Sequence, residues 1–589
     1  MHNQFKGGAV IARGKWYENA VYDVSNASIS AAFSGSGTVT RYFIANGEKY
    51  EFENSFLSIA YNGVVQDVLL DKTVSMLGRC QRVQLDLKTA VLEILHFLDP
   101  KENGVFTSYC LRSDHPEDRL EICLTGYRFE PDFVHSGTLL SDSGKGFAAD
   151  GIFDYCPDNT SIRFSLSARA PRVNTVLVCG NCPGKAAEYV LHFDEHFRAL
   201  ELEQSRISLP EGLDETEQAL FYATYYCALE NYKELGEYRG FMAGCNYLSP
   251  MRSYYRDSYF TVLPMYHGQT EKVRAQILTL ARGIGPDGTC PSAVKSDWSA
   301  WWGNHYDSPS FLAMMLWDYI KFTGDGAFAD TPVGGGTVFS QAVRALESLS
   351  QFADETGLLY KAGKYNKRDW ADEVNRYGYV TYDEILYARA LDCISRICLL
   401  RGDGAGHRAY AARFNQVSDA INRILWDNDL GYYVNFKSRD YTETNLSVDT
   451  VFAAIFGIAD DARARRMLST MERLLESQNN GIPRPFGCMC VYPFYSRLES
   501  AYHKSSQSFN YHNGANWPYL TAMYAWAKRK YGMDYRYLLK QWFEYNLNKG
   551  NYTPIEYFYP YCADGYLLQA WSGDTAFVLD EALSLHFWD

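Results

Sequence analysis

The sequence predicts a two-part protein: an N-terminal antiparallel β-sandwich, one connecting helix, and a C-terminal toroid of helical hairpins. Three observations carry this prediction. At 589 residues the chain is too long for one ordinary core. Up to about residue 180 apolar residues recur at period two between turn residues, whereas beyond Gly184 they recur three and four apart. Past residue 210 the loops between helical stretches alternate between short and long, and the long ones hold nearly all the Trp, Gly and paired charges. The expected division is 1–183 for the β-sandwich, 184–209 for a helical linker and 210–589 for the helical domain.

Strands are expected at Ser28–Phe33, Thr38–Ala45, Phe56–Tyr61, Arg82–Asp86, Val91–Phe97, Leu120–Leu124, Ser161–Ser167 and Thr175–Cys179, all rich in β-branched and aromatic residues. No catalytic constellation stands out among them. Ala186, Val190, Phe193, Phe197 and Leu200 then share one helical face, which predicts a single helix over 184–204. Twelve further helices are expected, near 215–233, 257–266, 270–283, 308–323, 338–353, 382–401, 406–425, 446–457, 461–476, 515–531, 535–549 and 573–586. Twelve helices pair into six hairpins, with long loops building the functional face.

Composition excludes several classes of function. The chain is 47% hydrophobic without a run long enough to span a membrane, so no membrane partner is expected. No apolar stretch follows Met1–Gly8, so no secretory leader is read and a cytoplasmic location is expected. Seventy acidic against 56 basic residues, with no basic cluster, argue against nucleic acid. The aromatic content of 15% suits both core filling and sugar faces, and taken alone favours the core. Fourteen irregularly spaced cysteines read as free thiols of a reducing compartment. Cys179/Cys182 and Cys488/Cys490 lack a second pair at ligand spacing, so neither a metal nor any other cofactor is expected.

Chemistry concentrates in a few long loops. After Lys367-Arg368, the segment Asp369-Trp370-Ala371-Asp372-Glu373 sets three carboxyls beside an indole. Crowded like charges next to an aromatic disfavour ionisation, so one carboxyl can stay protonated near neutral pH and donate to a leaving oxygen. A second, ionised carboxylate is offered by Glu556 in Thr553–Phe558, and two carboxyls are the minimum for hydrolysing a glycosidic bond. Arg256-Asp257 reads either as a surface ion pair or as a clamp on vicinal hydroxyls. Trp298, Trp301 and Trp302 form a candidate stacking platform, while Asp307 reads first as a helix N-cap ahead of Pro309. Each segment alone has a plain structural explanation; their joint occurrence points to sugar chemistry.

The order of these segments resembles the glucoamylase family, glycoside hydrolase family 15, and more broadly the six-hairpin glycosidases with an (α/α)6 barrel, including glycogen-debranching and processing α-glucosidase families. Arg256-Asp257-Ser258 resembles the family's sugar-binding Arg-Asp segment, and Trp302-Gly303-Asn304-His305-Tyr306-Asp307-Ser308-Pro309 its Trp-Gly segment. Asp372-Glu373-Val374-Asn375 is similar to its Glu-Glu-Val-Asn, Tyr511–Pro518 to its Asn-Gly-x-x-Trp helix start, and Glu556-Tyr557 with Trp571-Ser572 to the general-base segment. Two departures stand out: Asp372 where glucoamylases have Glu, and Asn304 where an Arg is common.

The resemblance implies an exo-acting, inverting hydrolase of α-glucosidic bonds in oligosaccharides. Asp372 would be the general acid and Glu556 the general base, about 6.5–9.5 Å apart. Arg256, Asp257, Trp302, Asp307, Trp370, Glu373, His512, Trp517 and Trp571 would bind the sugar, and Asp369 is a rival for the acid. An α-L-rhamnosidase or another six-hairpin glycosidase, an inverting disaccharide phosphorylase, and a non-catalytic carbohydrate-binding protein stay open. The expected partner is an oligosaccharide or glycoside. Covering the barrel mouth and mediating a homodimer are the two roles open to the β-sandwich.

Overall fold

The computed structural model describes every residue except 1, 17–19, 70, 71, 304, 363–368, 482–486, 498, 499, 560 and 561, and the side chain at 562. The sequence readings on Asn304, Lys367 and Arg368 therefore lie outside the described residues.

The N-terminal part is antiparallel throughout its three larger sheets. A ten-stranded sheet runs, in spatial order, His2–Lys6, Ala9–Gly14, Lys72–Leu77, Cys80–Asp86, Ala90–Leu98, Val105–Ser113, Arg172–Cys179, Lys145–Ala149, Leu139–Ser141 and Val134–His135. A five-stranded sheet runs Asp154–Cys156, Ser161–Ser167, Arg119–Thr125, Phe56–Tyr61 and Val64–Gln66. Burial alternates along Cys80–Asp86 and Arg119–Thr125, so each buries one face. Tyr109 and Phe164, one from each sheet, meet edge to face at 5.2 Å. The four-stranded sheet of Tyr22–Ser25, Ile29–Phe33, Val39–Ile44 and Lys49–Glu51 is buried almost throughout its first two strands.

All eight expected strands are present, each within a few residues of its expected ends. Val105–Ser113 escaped because burial on both faces removes the alternation that marks a half-exposed strand. The linker differs from expectation. It is two helices, α1 (Lys185–Leu191) and α2 (Phe193–Gln204), broken at His192. Their apolar side, from Ala186 to Leu200, still packs as one surface on Phe97, Phe106, Val176 and Val178.

The helical part alternates outer and inner elements along the chain. Outer helices are α3 (Glu215–Glu230), α5 (Thr270–Arg282), α7 (Val338–Ser350), α9 (Gly404–Ile424), α11 (Asp461–Leu475) and α13 (Arg536–Asn548). Inner ones are α4 (Tyr255–Val262), α6 (Ser308–Thr323), α8 (Thr381–Leu400), α10 (Phe452–Ile455), α12 (Pro518–Lys530) and α14 (Asp574–Leu579); α15 (Glu581–Ser584) follows. Contacts run α4 to α6, α6 to α8, α8 to α10, α10 to α12, α12 to α14 and α14 back to α4, so the inner set closes on itself. Residue chemistry follows position. Inner α6 is buried from Ser308 to Ile320 and α12 from Pro518 to Lys528, whereas outer α7 and α11 bury one stripe each. Local signals set the ends: an Asp214/Glu217 capping box opens α3, and Gly324, at φ +73°, closes α6.

Two expected helices are much reduced. The stretch expected at 446–457 is a 3-10 turn, Val448–Val451, running into α10, and that expected at 573–586 splits at Asp580 into α14 and α15. Among the described residues no helix is long and apolar enough to cross a membrane. The thiols at 179 and 182 are free.

Candidate active site

The loops that enter the inner helices converge on one cleft of about 390 Å³. Arg256 and Asp257 reach it from the first turn of α4, Trp302 from the approach to α6, Trp370 and Asp372 from the approach to α8, Trp517 from the residue before α12, and Trp571 from the turn before α14. Glu556 enters from a hairpin of Ile555–Tyr559 and Cys562–Leu567. Eight of the eleven residues singled out in the sequence thus line one cavity.

The other three stand behind its wall. Asp307 occupies the N-cap position of α6, but its side chain caps nothing; it accepts from Arg256 Nη1 at 2.9 Å and from the Tyr382 hydroxyl at 3.4 Å. Burial pushes its carboxyl up, yet Arg256 and His305 outweigh that and hold it below the usual range. The expected side-chain cap is thereby corrected: Asp307 keeps the N-cap position, and its carboxylate braces Arg256 from behind the cleft lining. Glu373 does not face the cleft either, since its Oε2 accepts from the Ser505 N–H at 2.9 Å. His512 is buried, stacked on Trp517 at 5.0 Å and edge-on to Trp370 at 5.0 Å. Burial, with Arg376 adding to it, drives its pKa well down, so the ring is neutral, and its Nδ1 accepts from the Glu373 N–H at 3.3 Å.

Asp369, the rival acid, is also absent from the cleft. Lys361 Nζ donates to it at 3.0 Å and to Asp383 at 3.2 Å, all three groups being buried. Burial raises the Asp369 carboxyl, but Lys361 and Arg376 outweigh it and hold Asp369 ionised, whereas Asp383 is pushed up to about 8.

Electrostatics inside the cleft are dominated by burial, with the crowding of carboxyls added to it. Burial, together with Asp257 and Asp372, pushes Glu556 up to about 8. Burial raises Asp257 to about 6 although Arg256 opposes it. The expected site held an ionised Glu556; burial and its carboxyl neighbours instead favour the protonated form at neutral pH. The walls are aromatic and braced against each other: Trp517 stacks on Tyr557 at 5.3 Å and Trp571 on Tyr519 at 4.2 Å, while Trp370 Nε1 donates to Asp449 at 2.5 Å. Trp302 is 48% exposed at the rim. Trp302 and Tyr511 hold φ of +47° and +44°, unusual for non-glycine residues and of the kind that collects at functional sites.

Residues 336–578 match the family described as the mannosylglycerate hydrolase MGH1-like glycoside hydrolase domain. Across nearly the whole chain the fold is similar to that of a bacterial glucoamylase complexed with acarbose, at 10% identity and a TM-score of 0.63 over 98% of each chain. A rhamnosidase from Klebsiella oxytoca with rhamnose bound matches at 14% identity and 0.51, over 97% of this chain and 96% of that one. The fold is that of the six-hairpin glycosidases. In sequence, an N,N'-diacetylchitobiose phosphorylase of Vibrio furnissii is 26% identical over 140 residues, so the match spans 23% of this chain and only 17% of that enzyme's length. Together the matches support a carbohydrate-active enzyme of the glycosidase or phosphorylase kind.

Within this six-hairpin fold, several cleft residues were given no role from the sequence: Tyr247, Arg252, Tyr254, Lys504, Tyr511, Asp564, Gly565 and Tyr566. Arg252 donates from Nε to the Tyr254 hydroxyl at 2.8 Å and lies 4.5 Å from the Trp301 ring. The density of tyrosine between 247 and 259 was the available signal, and core filling explained it equally well.

Proposed function

We propose that the protein is an exo-acting, inverting glycoside hydrolase that cleaves α-glucosidic bonds of short oligosaccharides. The observation that carries this reading is the placement of Asp372 and Glu556, 184 positions apart in sequence order by their numbers, on one aromatic-walled cleft whose volume of about 390 Å³ suits a small sugar. Asp372 donates its proton to the glycosidic oxygen as the bond to the anomeric carbon breaks. Glu556, ionised, takes a proton from the water that attacks the opposite face. Arg256, oriented by Asp307, and Asp257 hold sugar hydroxyls; Trp302, Trp370, Trp517 and Trp571 cover the ring faces and exclude bulk water.

The test is product release from maltose, isomaltose, kojibiose, nigerose and trehalose by wild type, Asp372→Asn and Glu556→Gln, with NMR of the first anomer formed. β-Glucose from wild type and none from either variant supports the reading. Silence on every α-glucoside moves the substrate to another sugar, and rhamnosides and mannosides come next.

A second reading is phosphorolysis. A Glu556 that is mostly neutral at pH 7 would not repel a phosphate, and Arg252 and Lys504 place two cations on the same cleft. Turnover that requires inorganic phosphate and releases a sugar phosphate would decide for it.

A further inference from the structure

The segments that carry the two candidate carboxyls are joined by a third, the turn His503–Ser506. On one side the Ser505 N–H donates to Glu373 Oε2 at 2.9 Å and the Tyr502 N–H to the Glu373 carbonyl at 3.1 Å, while the Tyr502 hydroxyl bonds the Asp372 carbonyl. On the other side Lys504 Nζ donates to the Tyr557 hydroxyl at 3.2 Å and stands 4.0 Å from Asp564, both on the hairpin of Glu556. The ammonium also lies 5.4 Å from the Tyr511 and Tyr557 rings. Lys504 therefore spans the gap between the acid-bearing loop and the base-bearing hairpin.

The charges around Glu556 give this bridge a consequence. Asp257 from α4, Asp372 from the approach to α8 and Asp564 from its own hairpin all oppose ionisation of Glu556, on top of burial. Tyr247 and Tyr511 share the cleft as neutral phenols, their own ionisation disfavoured by burial and then by Glu556. Of the arginines on the cleft, Arg256 is engaged by Asp307 and Arg252 by Tyr254 and the Pro250 carbonyl. Lys504 is a cation whose charge favours the ionised form of Glu556. Half of its side chain is in water, so its field alone is screened; the bond to Tyr557 and the proximity of Asp564 hold it where that field acts.

We infer that Lys504 is a positioning residue of this site, fastening the Glu556 hairpin to the Asp372-Glu373 segment and setting a positive charge on the cleft it shares with Glu556; the inference rests on the hydrolytic reading above. In this role Lys504 acts through Glu556 and its hairpin.

The experiment is the pH profile of kcat/KM for wild type, Lys504→Met, Lys504→Arg and Glu556→Gln on the glycoside found by product release, with Tm recorded for each. Lys504→Met is expected to move the acid-side limb upward by about half to one pH unit, which lowers kcat/KM on that limb roughly three- to tenfold. Lys504→Arg, which keeps the charge, is expected to leave the limb in place. A Lys504→Met limb that coincides with wild type, beside a Glu556→Gln without turnover, overturns the inference and leaves the hydrolytic reading standing, whatever happens to Tm. Wild-type turnover by Glu556→Gln overturns the hydrolytic reading and the inference with it.

Discussion

Gly565 passes so close to Glu556 that a Cβ on Gly565 would lie 2.5 Å from the Glu556 Cβ and 3.1 Å from its Oε2. The two residues face each other across the hairpin, whose register shifts between Ile555 and Tyr557 where Glu556 sits. Glycine is required there twice over. Its φ of +91° is outside what side chains favour, and the space is filled by the candidate base.

Gly565→Ala should therefore displace Glu556 rather than be absorbed elsewhere. The backbone term alone costs about 1–2 kcal/mol. A shift of the base by about 1 Å is expected to lower kcat/KM about a hundredfold. Steady-state kinetics beside a urea midpoint separate the two effects: a variant destabilised by that amount with wild-type kcat/KM would show that Gly565 serves the turn and not the carboxyl.

Glu556 also ties activity to stability. Its pKa of about 8 in the folded protein lies above its ordinary value of 4.5, so the native state keeps a proton that the unfolded chain has already lost. Its contribution to stability is therefore complete below pH 4.5 and declines as pH rises toward 8, at about 1.4 kcal/mol per pH unit. Glu556→Gln removes that decline. The variant is expected to gain on wild type in Tm as pH goes from 5 to 8, while losing hydrolysis at every pH. In wild type, kcat/KM is expected to rise through a limb near pH 8, because only the ionised carboxylate accepts a proton from water. A Tm difference that stays flat between pH 5 and 8 would show that Glu556 titrates in the ordinary carboxyl range.

What the sequence revealed and what it hid divide along physical lines. Period-two and helical patterns report one-sided burial, so Phe56–Tyr61, Ser161–Ser167 and Ser308–Thr323 were legible to the residue. They fail where burial is two-sided, as at Val105–Ser113, or where an inner element is only a turn or two long, as at Val448–Ile455. Carboxyls were legible through the segments around them. The difference between touching a cleft and bracing it was not: Asp307 and Glu373 are carboxyls like Asp257 and Asp372, and only the bonds to Arg256 and Ser505 and their place outside the cleft lining set them apart. Lys504 and Gly565 had no local signal at all, because their importance lies in approaches across 50 to 60 residues and across a hairpin.

The Arg256–Asp307 pair is the clearest of these braces, with both side chains buried and 2.9 Å between Nη1 and Oδ2. Removing one partner leaves the other charge buried without compensation, which typically costs about 3–5 kcal/mol. Asp307→Ala is expected to lose stability in that range and to lower sugar affinity through a misplaced Arg256. The double variant Asp307→Ala/Arg256→Met should recover most of the stability and none of the affinity. Additive stability losses in the double-mutant cycle would refute the pairing.

The two candidate acids can be separated by chemistry that needs no acid. α-Glucosyl fluoride expels a leaving group that departs without protonation, so a variant lacking only the general acid should still hydrolyse it if the base and sugar contacts are intact. Asp372→Asn is expected to lose turnover of the disaccharide while keeping turnover of the fluoride, and Glu556→Gln to lose both. Asp369→Asn should behave differently from either. It leaves Lys361 and Arg376 facing a neutral amide in a buried network that also holds Asp383 and Asp449, so the loss appears as a lower Tm, with disaccharide and fluoride turnover falling in proportion. An Asp369→Asn that keeps its Tm and selectively loses the disaccharide would transfer the acid role from Asp372 to Asp369, and would require Lys361 to move away before each turnover.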